Sequence, residues 1–173
     1  VFTALAYSKN TVEWKIIEEG QPFIEGAQTQ FDYDYGCVFG CGSPIFLDNE
    51  IRIYYGGSDY LHFGWRKGCL ALATLRPDGF AGYEPINRSA VGVVNIKPIR
   101  SRHGEIKINA DIAPYGYIKV RVLSDLGALL DEKFLKQTCF NHTTFNRNVD
   151  WPQDLRFQFE LMNAKLFSVV LTN

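Results

Sequence analysis

A chain of 173 residues with a formal net charge of −1 lacks the basic field that nucleic acid or an anionic membrane surface attracts, and no Lys/Arg run concentrates one. Apolar residues make up 46% of it, enough for a real core at this length, yet no apolar run approaches the ~20 residues that span a bilayer. Thirteen Phe, nine Tyr and three Trp against a single Met favour pleated sheet, whose faces accommodate aromatic rings.

In chain order, residues 2–8 and 12–17 predict a hairpin across the polar pair Lys9-Asn10. Residues 21–35, with Pro22 and Gly26, read as loop. Residues 36–46 and 50–56 predict a second hairpin around Leu47-Asp48-Asn49, and 69–76 a further apolar strand. Pro77-Asp78-Gly79 is a strong turn signal before a short strand at 80–83. Residues 86–90 read as a connecting turn.

Strands are then predicted at 91–99, 105–112, 117–123, 154–161 and 164–171. Ile106, Ile108 and Ala110 alternate with Lys107, Asn109 and Asp111, as Leu155, Phe157, Phe159 and Leu161 do with Arg156, Gln158 and Glu160. That period marks half-buried strands with one wet face. Asn109, Asp111 and Asn163 are expected there as cross-strand hydrogen bonders or, alternatively, as part of a carbohydrate or Ca²⁺ site. Residues 126–135 are the one helix candidate, and Gly127 weakens it. Many short strands separated by turns predict an all-β fold, a β-sandwich over 87–173 with an additional antiparallel sheet over 1–86.

The densest polar and aromatic segment is the loop 57–67, with Asp59, Tyr60, His62, Trp65, Arg66 and Lys67 between two strands. An indole stacks on the apolar face of a pyranose while Asp, His and Arg bond its hydroxyls, so Asp59, His62, Trp65 and Arg66 are candidate ligand contacts. The alternative is that Trp65 packs over the hairpin and Arg66 pairs with Asp59. Asp32 and Asp34 would share a face if their stretch were extended and could then bind Ca²⁺ or serve acid/base chemistry, but solvated loop acids before a strand are the favoured reading. Trp151 is expected in the core. His103 and His142 are isolated in polar stretches, no His/Cys spacing suits zinc, no serine has a positioned base, and Gly40-Cys41-Gly42 has no following helix to cradle phosphate. No cofactor, metal or catalytic residue is assigned.

Two sequons, Asn87-Arg88-Ser89 and Asn141-His142-Thr143, lie in polar stretches and are candidate glycosylation sites. Four cysteines accord with a secreted protein. Cys37 and Cys41, four apart on one strand, stand roughly 13 Å apart and cannot bond each other. Cys37, Cys41, Cys69 and Cys139 are therefore candidates for disulfides, with Cys69 the expected mate of Cys37 or Cys41, or else thiols. The start at Val1 suggests a mature product or a piece of a longer protein.

The runs FDYDYGCVFGCGSP (31–44) and EIRIYYGGSDYLHFGWRKGCLALATLRPDGF (50–80) resemble the last blade of five-bladed β-propeller glycoside hydrolases of the invertase-like and arabinanase-like clans. LAYSKNTVEWKII (5–17) resembles the outer half of the preceding blade. VNIKPIRSRHGEIKINADIAPYGYIKVRVLSDLGALL (94–130) and DLRFQFELMNAKLFSV (154–169) are similar to the β-sandwich that follows such propellers. The resemblance implies that 1–86 is propeller-derived, that Asp34 is a pocket residue, and that the loop 57–67 lies near a pocket rim. The other catalytic carboxylates of that family would come from blades that this chain does not contain, so no paired-carboxylate site closes within it.

The expectation is a secreted, carbohydrate-related module, non-catalytic alone, binding a glycan, glycoprotein or partner through the 57–67 loop. Its alternatives are the C-terminal part of a glycoside hydrolase and a structural module without ligand. An unaccompanied propeller-type sheet has an open edge to bury, so self-association or docking on the sandwich is expected.

Overall fold

The computed structural model describes residues 1–64, 66–87, 89–100, 105–146 and 151–171, leaving aside the side chains of Thr143 and Asn146. The described chain is all-β, without helix, and forms two compact units, Val1–Pro77 and Asp78–Asn173. Trp65, Arg88 and His103 lie outside the described residues.

In the first unit, β1 (Ala6–Ser8) and β2 (Trp14–Ile16) form the predicted hairpin. Asn10 organises its turn, because its Oδ1 accepts the Val12 and Glu13 amides at 3.1 and 2.9 Å. The main sheet is built on β5 (Ile51–Ser58). β3 (Cys37–Gly40) and β4 (Ile45–Phe46) share one edge of β5, and β6 (Gly68–Leu75) runs antiparallel along the other. The strand expected over 36–46 is thus two pieces, interrupted around Pro44, which has no amide hydrogen for a ladder. Ile51, Ile53 and Tyr55 are buried on one face, where Asp34 of the long loop meets the Tyr55 hydroxyl. Beyond β3 the sheet is closed by the N-terminal residues: the Val38 amide donates to the Val1 carbonyl at 3.0 Å, and the Gly40 amide to Thr3 Oγ1 at 3.0 Å.

That sheet order removes the expected disulfide. Cys37 lies opposite Ser58 and Cys69 opposite Gly57, so the two cysteines flank β5 from opposite edges. Two strand spacings of ~4.8 Å exceed the ~7 Å Cα limit for an S–S bridge. All four cysteines are thiols. Cys37 donates to the Tyr60 carbonyl, Cys69 to that of Tyr33, and Cys139 to that of Ile108.

Among the described residues, the second unit forms one five-stranded antiparallel sheet of β7 (Val91–Arg100), β8 (Glu105–Ser124), β9 (Leu129–Leu135), β10 (Cys139–Asn146) and β11 (Asp154–Leu171). β8 and β11 each merge two predicted strands. β9 and β10 occupy successive stretches of one edge of β8, β11 runs along its other edge, and β7 pairs with the first half of β11.

Midway, residues 113–116 of β8 bulge against Asn163 of β11, between the pairs Tyr117↔Met162 and Ile112↔Ala164. Tyr115 and Asn163 have φ of 64° and 45°. A Cβ at Gly116 would lie 2.4 Å from the Asn163 carbonyl oxygen, so only glycine fits this corner. Ile106, Ile108, Ala110 and Ile112 before the corner share one core with Ile118, Val120 and Val122 after it. The long sheet therefore folds back on itself in sandwich-like fashion. Phe157, Phe159, Leu155 and Leu161 fill that core, and Trp151 packs against it, its ring 6.2 Å from Phe145.

The helix candidate at 126–135 is strand. Gly127, at φ 87°, closes a turn on Ser124, and residues from Leu129 onward pair with the free edge of β8. A vacant ladder along β8 outweighs the weak helical preference of a segment holding glycine.

Candidate functional site

The loop after β5 is built largely from its own polar groups. Asp59 continues the ladder by donating its amide to the Lys67 carbonyl at 3.2 Å, while its Oδ1 accepts the Lys67 amide at 2.7 Å. Arg66 reaches back to the Leu61 carbonyl at 3.4 Å and donates also to that of His62. Asp59 and Arg66 thus fasten the loop through backbone groups. The Tyr60 carbonyl is anchored below by Ser58 Oγ at 2.7 Å. A Cβ at Gly36 would fall 1.9 Å from that carbonyl oxygen, which is why the loop can settle so close to the chain entering β3. The Tyr60 ring stacks on Phe31 at 5.8 Å, and the His62 ring tilts against Phe39 at 5.9 Å. Phe63 is left 74% exposed on this fastened loop. Trp65, the indole that a stacking platform would use, lies outside the described residues.

Asp34 is buried against the inward face of β5. It is 3% exposed, with Oδ2 accepting the Tyr55 hydroxyl at 2.7 Å and Oδ1 the Ala27 amide at 2.9 Å. Asp32 is exposed in a turn whose carbonyl accepts the Tyr35 amide, so the two acids do not share an extended face. Burial, then hydrogen bonding with Tyr33 and Asp34, raises the Tyr55 phenol well above the usual tyrosine range, which keeps it a proton donor to the carboxyl. Tyr55 was findable in the sequence: it continues the inward alternation of Ile51 and Ile53, and a buried tyrosine hydroxyl needs a partner.

The second unit holds a polar cluster that the period alone misplaces. Asn109 is fully buried instead of facing water. Its Nδ2 donates to Asp78 Oδ2 at 2.7 Å and to Ser168 Oγ at 2.6 Å, Ser168 Oγ donates to the same Asp78 oxygen at 2.7 Å, and its Oδ1 accepts the Asn141 amide. Asn109 is a cross-strand hydrogen bonder, as one of its two expected roles had it. Asp78, which the sequence marks only as a turn residue, covers it. Asn163 donates to the Pro114 carbonyl at 3.0 Å and belongs to the corner. A shallow groove of about 280 Å³ beside it is lined by Asp111, Asn163 and the Lys165–Glu84 pair, 3.4 Å apart.

Both sequon asparagines are exposed. Asn87 Oδ1 accepts the Ser89 amide at 3.0 Å, and Asn141 has φ 48°. His142 is exposed on β10. Among the described residues, no group of three or more His, Cys, Asp or Glu could hold a metal ion.

Comparison with protein-family models, with curated proteins and with solved structures finds no match to this chain.

Proposed function

We propose that this chain is a secreted, carbohydrate-related binding module, non-catalytic by itself, that takes a glycan or the glycan of a glycoprotein on its 57–67 loop. Phe63 carries the proposal: a phenyl ring three-quarters exposed on a loop whose Asp59 and Arg66 are engaged in fixing the backbone. Ordering such a surface in advance reduces the entropy lost when ligand binds. An aromatic ring presents a flat apolar face to the C–H groups of a sugar, and His62, the preceding residue, carries hydrogen-bonding nitrogens. The exposed sequon asparagines and the resemblance of the strand segments to propeller hydrolases support a secreted, glycan-related setting.

The test is a glycan array probed with the folded protein and with Phe63→Ala and Trp65→Ala. Selective binding that both variants lose is the expected result. Silence of the wild type, or binding that survives both substitutions, removes the loop as a glycan site.

A further inference from the structure

The strongest unsatisfied chemistry in the first unit is main-chain. Among the described residues, β6 pairs with β5 alone, so its second edge is open, whereas residues 1–3 cover the far side of β3. Natural sheets blunt such edges with lysine, proline or a bulge. β6 has none: GCLALATL carries no charge and no proline, and its register with β5 is unbroken from Gly68 to Leu75.

The ladder fixes which groups the edge presents. Asp59 lies opposite Lys67 and donates to its carbonyl, and in an antiparallel pair every second couple exchanges hydrogen bonds. Cys69, Ala71, Ala73 and Leu75 therefore turn their amides and carbonyls toward β5. Gly68, Leu70, Leu72 and Thr74 turn theirs outward. On the other side, the Cys41 amide donates to Tyr54 and the Leu47 amide to Glu50, which gives β5 the complementary parity. Leu70 and Leu72, 73% and 45% exposed, share the outer face of the sheet with Tyr54, Phe39 and Ile45.

We propose that this edge pairs with the same edge of a second copy, β6 antiparallel to β6 across a two-fold axis, so that two sheets become one. The strand suits itself. Only registers whose paired residue numbers sum to an even value keep the apolar outer face continuous, because a one-residue slip moves every side chain to the other face. Of the two central choices, pairing about Ala71 sets Arg66 opposite Arg76. Pairing about Leu72 avoids that repulsion and puts Arg76 opposite Gly68. It sets Leu72 against Leu72, Leu70 against Thr74 and Ala71 against Ala73, and the outward amides of Leu70, Leu72 and Thr74 all find carbonyls. The self-matching, uncharged sequence is what selects a second copy over a foreign strand.

Sedimentation velocity across a dilution series is the experiment, with Leu72→Pro as the variant. The Leu72 amide faces outward, so proline there deletes the central intermolecular donor and leaves the β5 ladder intact. A concentration-dependent wild-type dimer that becomes monomeric in Leu72→Pro, with unchanged circular dichroism, is expected. Should that variant fail to fold, Leu72→Lys decides instead, since it sets two ammonium groups against each other at the axis. A wild type that stays monomeric throughout overturns the proposal, as does a dimer that Leu72→Lys leaves whole. In a Cys41→Ser background, Leu72→Cys should oxidise to a covalent dimer, because hydrogen-bonded partners stand about 5.5 Å apart at Cα. A dimer whose Leu72→Cys thiols do not join overturns the Leu72-centred register. This outcome is independent of glycan binding, which the Phe63→Ala arm reads separately.

Discussion

The second unit closes its interior with side chains from both halves of two long strands, whereas the first covers one face of a short sheet with a loop and leaves Leu70, Leu72, Phe39 and Ile45 exposed beside Arg52 on the other. In the second, Ile, Val, Leu and Phe from β8 and β11 meet in one core, and polar groups cluster outside it. In the first, the covered face carries Ile51, Ile53 and Val38, but also the Asp34 carboxyl and the Tyr55 hydroxyl. Dispersion and apolar burial hold the second together; in the first, correctly paired polar groups share that role. A surface for partners is accordingly easier to find on the first, where the apolar area has not been used up internally.

The largest effect expected from this contrast is at Phe159. Its ring is fully buried between Val120 on β8 and Val94 on β7 in the ladder. Phe159→Ala should destabilise the second unit by about 3–5 kcal/mol, a large share of the 5–15 kcal/mol that a domain possesses. Denaturant unfolding followed by circular dichroism measures it. A loss under 1 kcal/mol would mean that the core is far looser than its burial implies.

Tyr55→Phe breaks the first unit by another route, since it keeps the ring and takes the hydroxyl away from Asp34 Oδ2 and Tyr33. The expected loss is about 1–3 kcal/mol at neutral pH, that of a buried acceptor left without a donor. Its pH dependence has a definite sign. The folded phenol titrates above its unfolded value of about 10, so the stabilisation is complete below pH ~10 and fades as pH rises through the folded value. Wild type and variant should therefore converge in alkali, and a gap constant to high pH would mean that the folded phenol is not raised as its burial and its partners require.

Most strands of both units are legible in the sequence because alternation survives wherever one face is buried, as in Ile106–Ala110 and Leu155–Leu161. By contrast, β9 reads as a helix candidate, β10 is not foreseen, and the strand expected at 80–83 is a turn with one bridge at Tyr83. What period could not show is the parity switch at Asn163, where the corner moves the inward set of β11 from Phe157, Phe159 and Leu161 to Ala164 and Leu166. Nor could it place Asn109, which sits where a wet residue should and is buried because Asp78 crosses over it. The expected pairing of Cys69 with Cys37 or Cys41 fails because sequence does not reveal that β5 lies between them. In the candidate loop the residue types were visible, but not their use: Asp59 and Arg66 bond backbone groups within a few residues of themselves. Such local bonds compete with any ligand for the same side chains.

The smallest effect belongs to the outer face of the second unit, where charge rather than packing is at work. Glu132 accepts Arg121 Nε at 2.8 Å and lies 3.2 Å from Lys119 Nζ. Hydrogen bonding from Arg121 leads in holding its carboxyl below the usual carboxylate range; burial opposes it next in size, and Lys119 adds to the lowering. A depressed folded value means that the stabilisation is present above the unfolded value of roughly 4.3 and is lost as pH falls through the folded one. Glu132→Gln should therefore lower the thermal midpoint slightly at neutral pH, by less than either core substitution. The gap should shrink with added salt, which screens exposed pairs, and close in acid once the wild-type carboxyl is protonated. A gap that persists at low pH would assign Glu132 a packing role, and the division between a core held by apolar burial and a face held by charge would have to be redrawn.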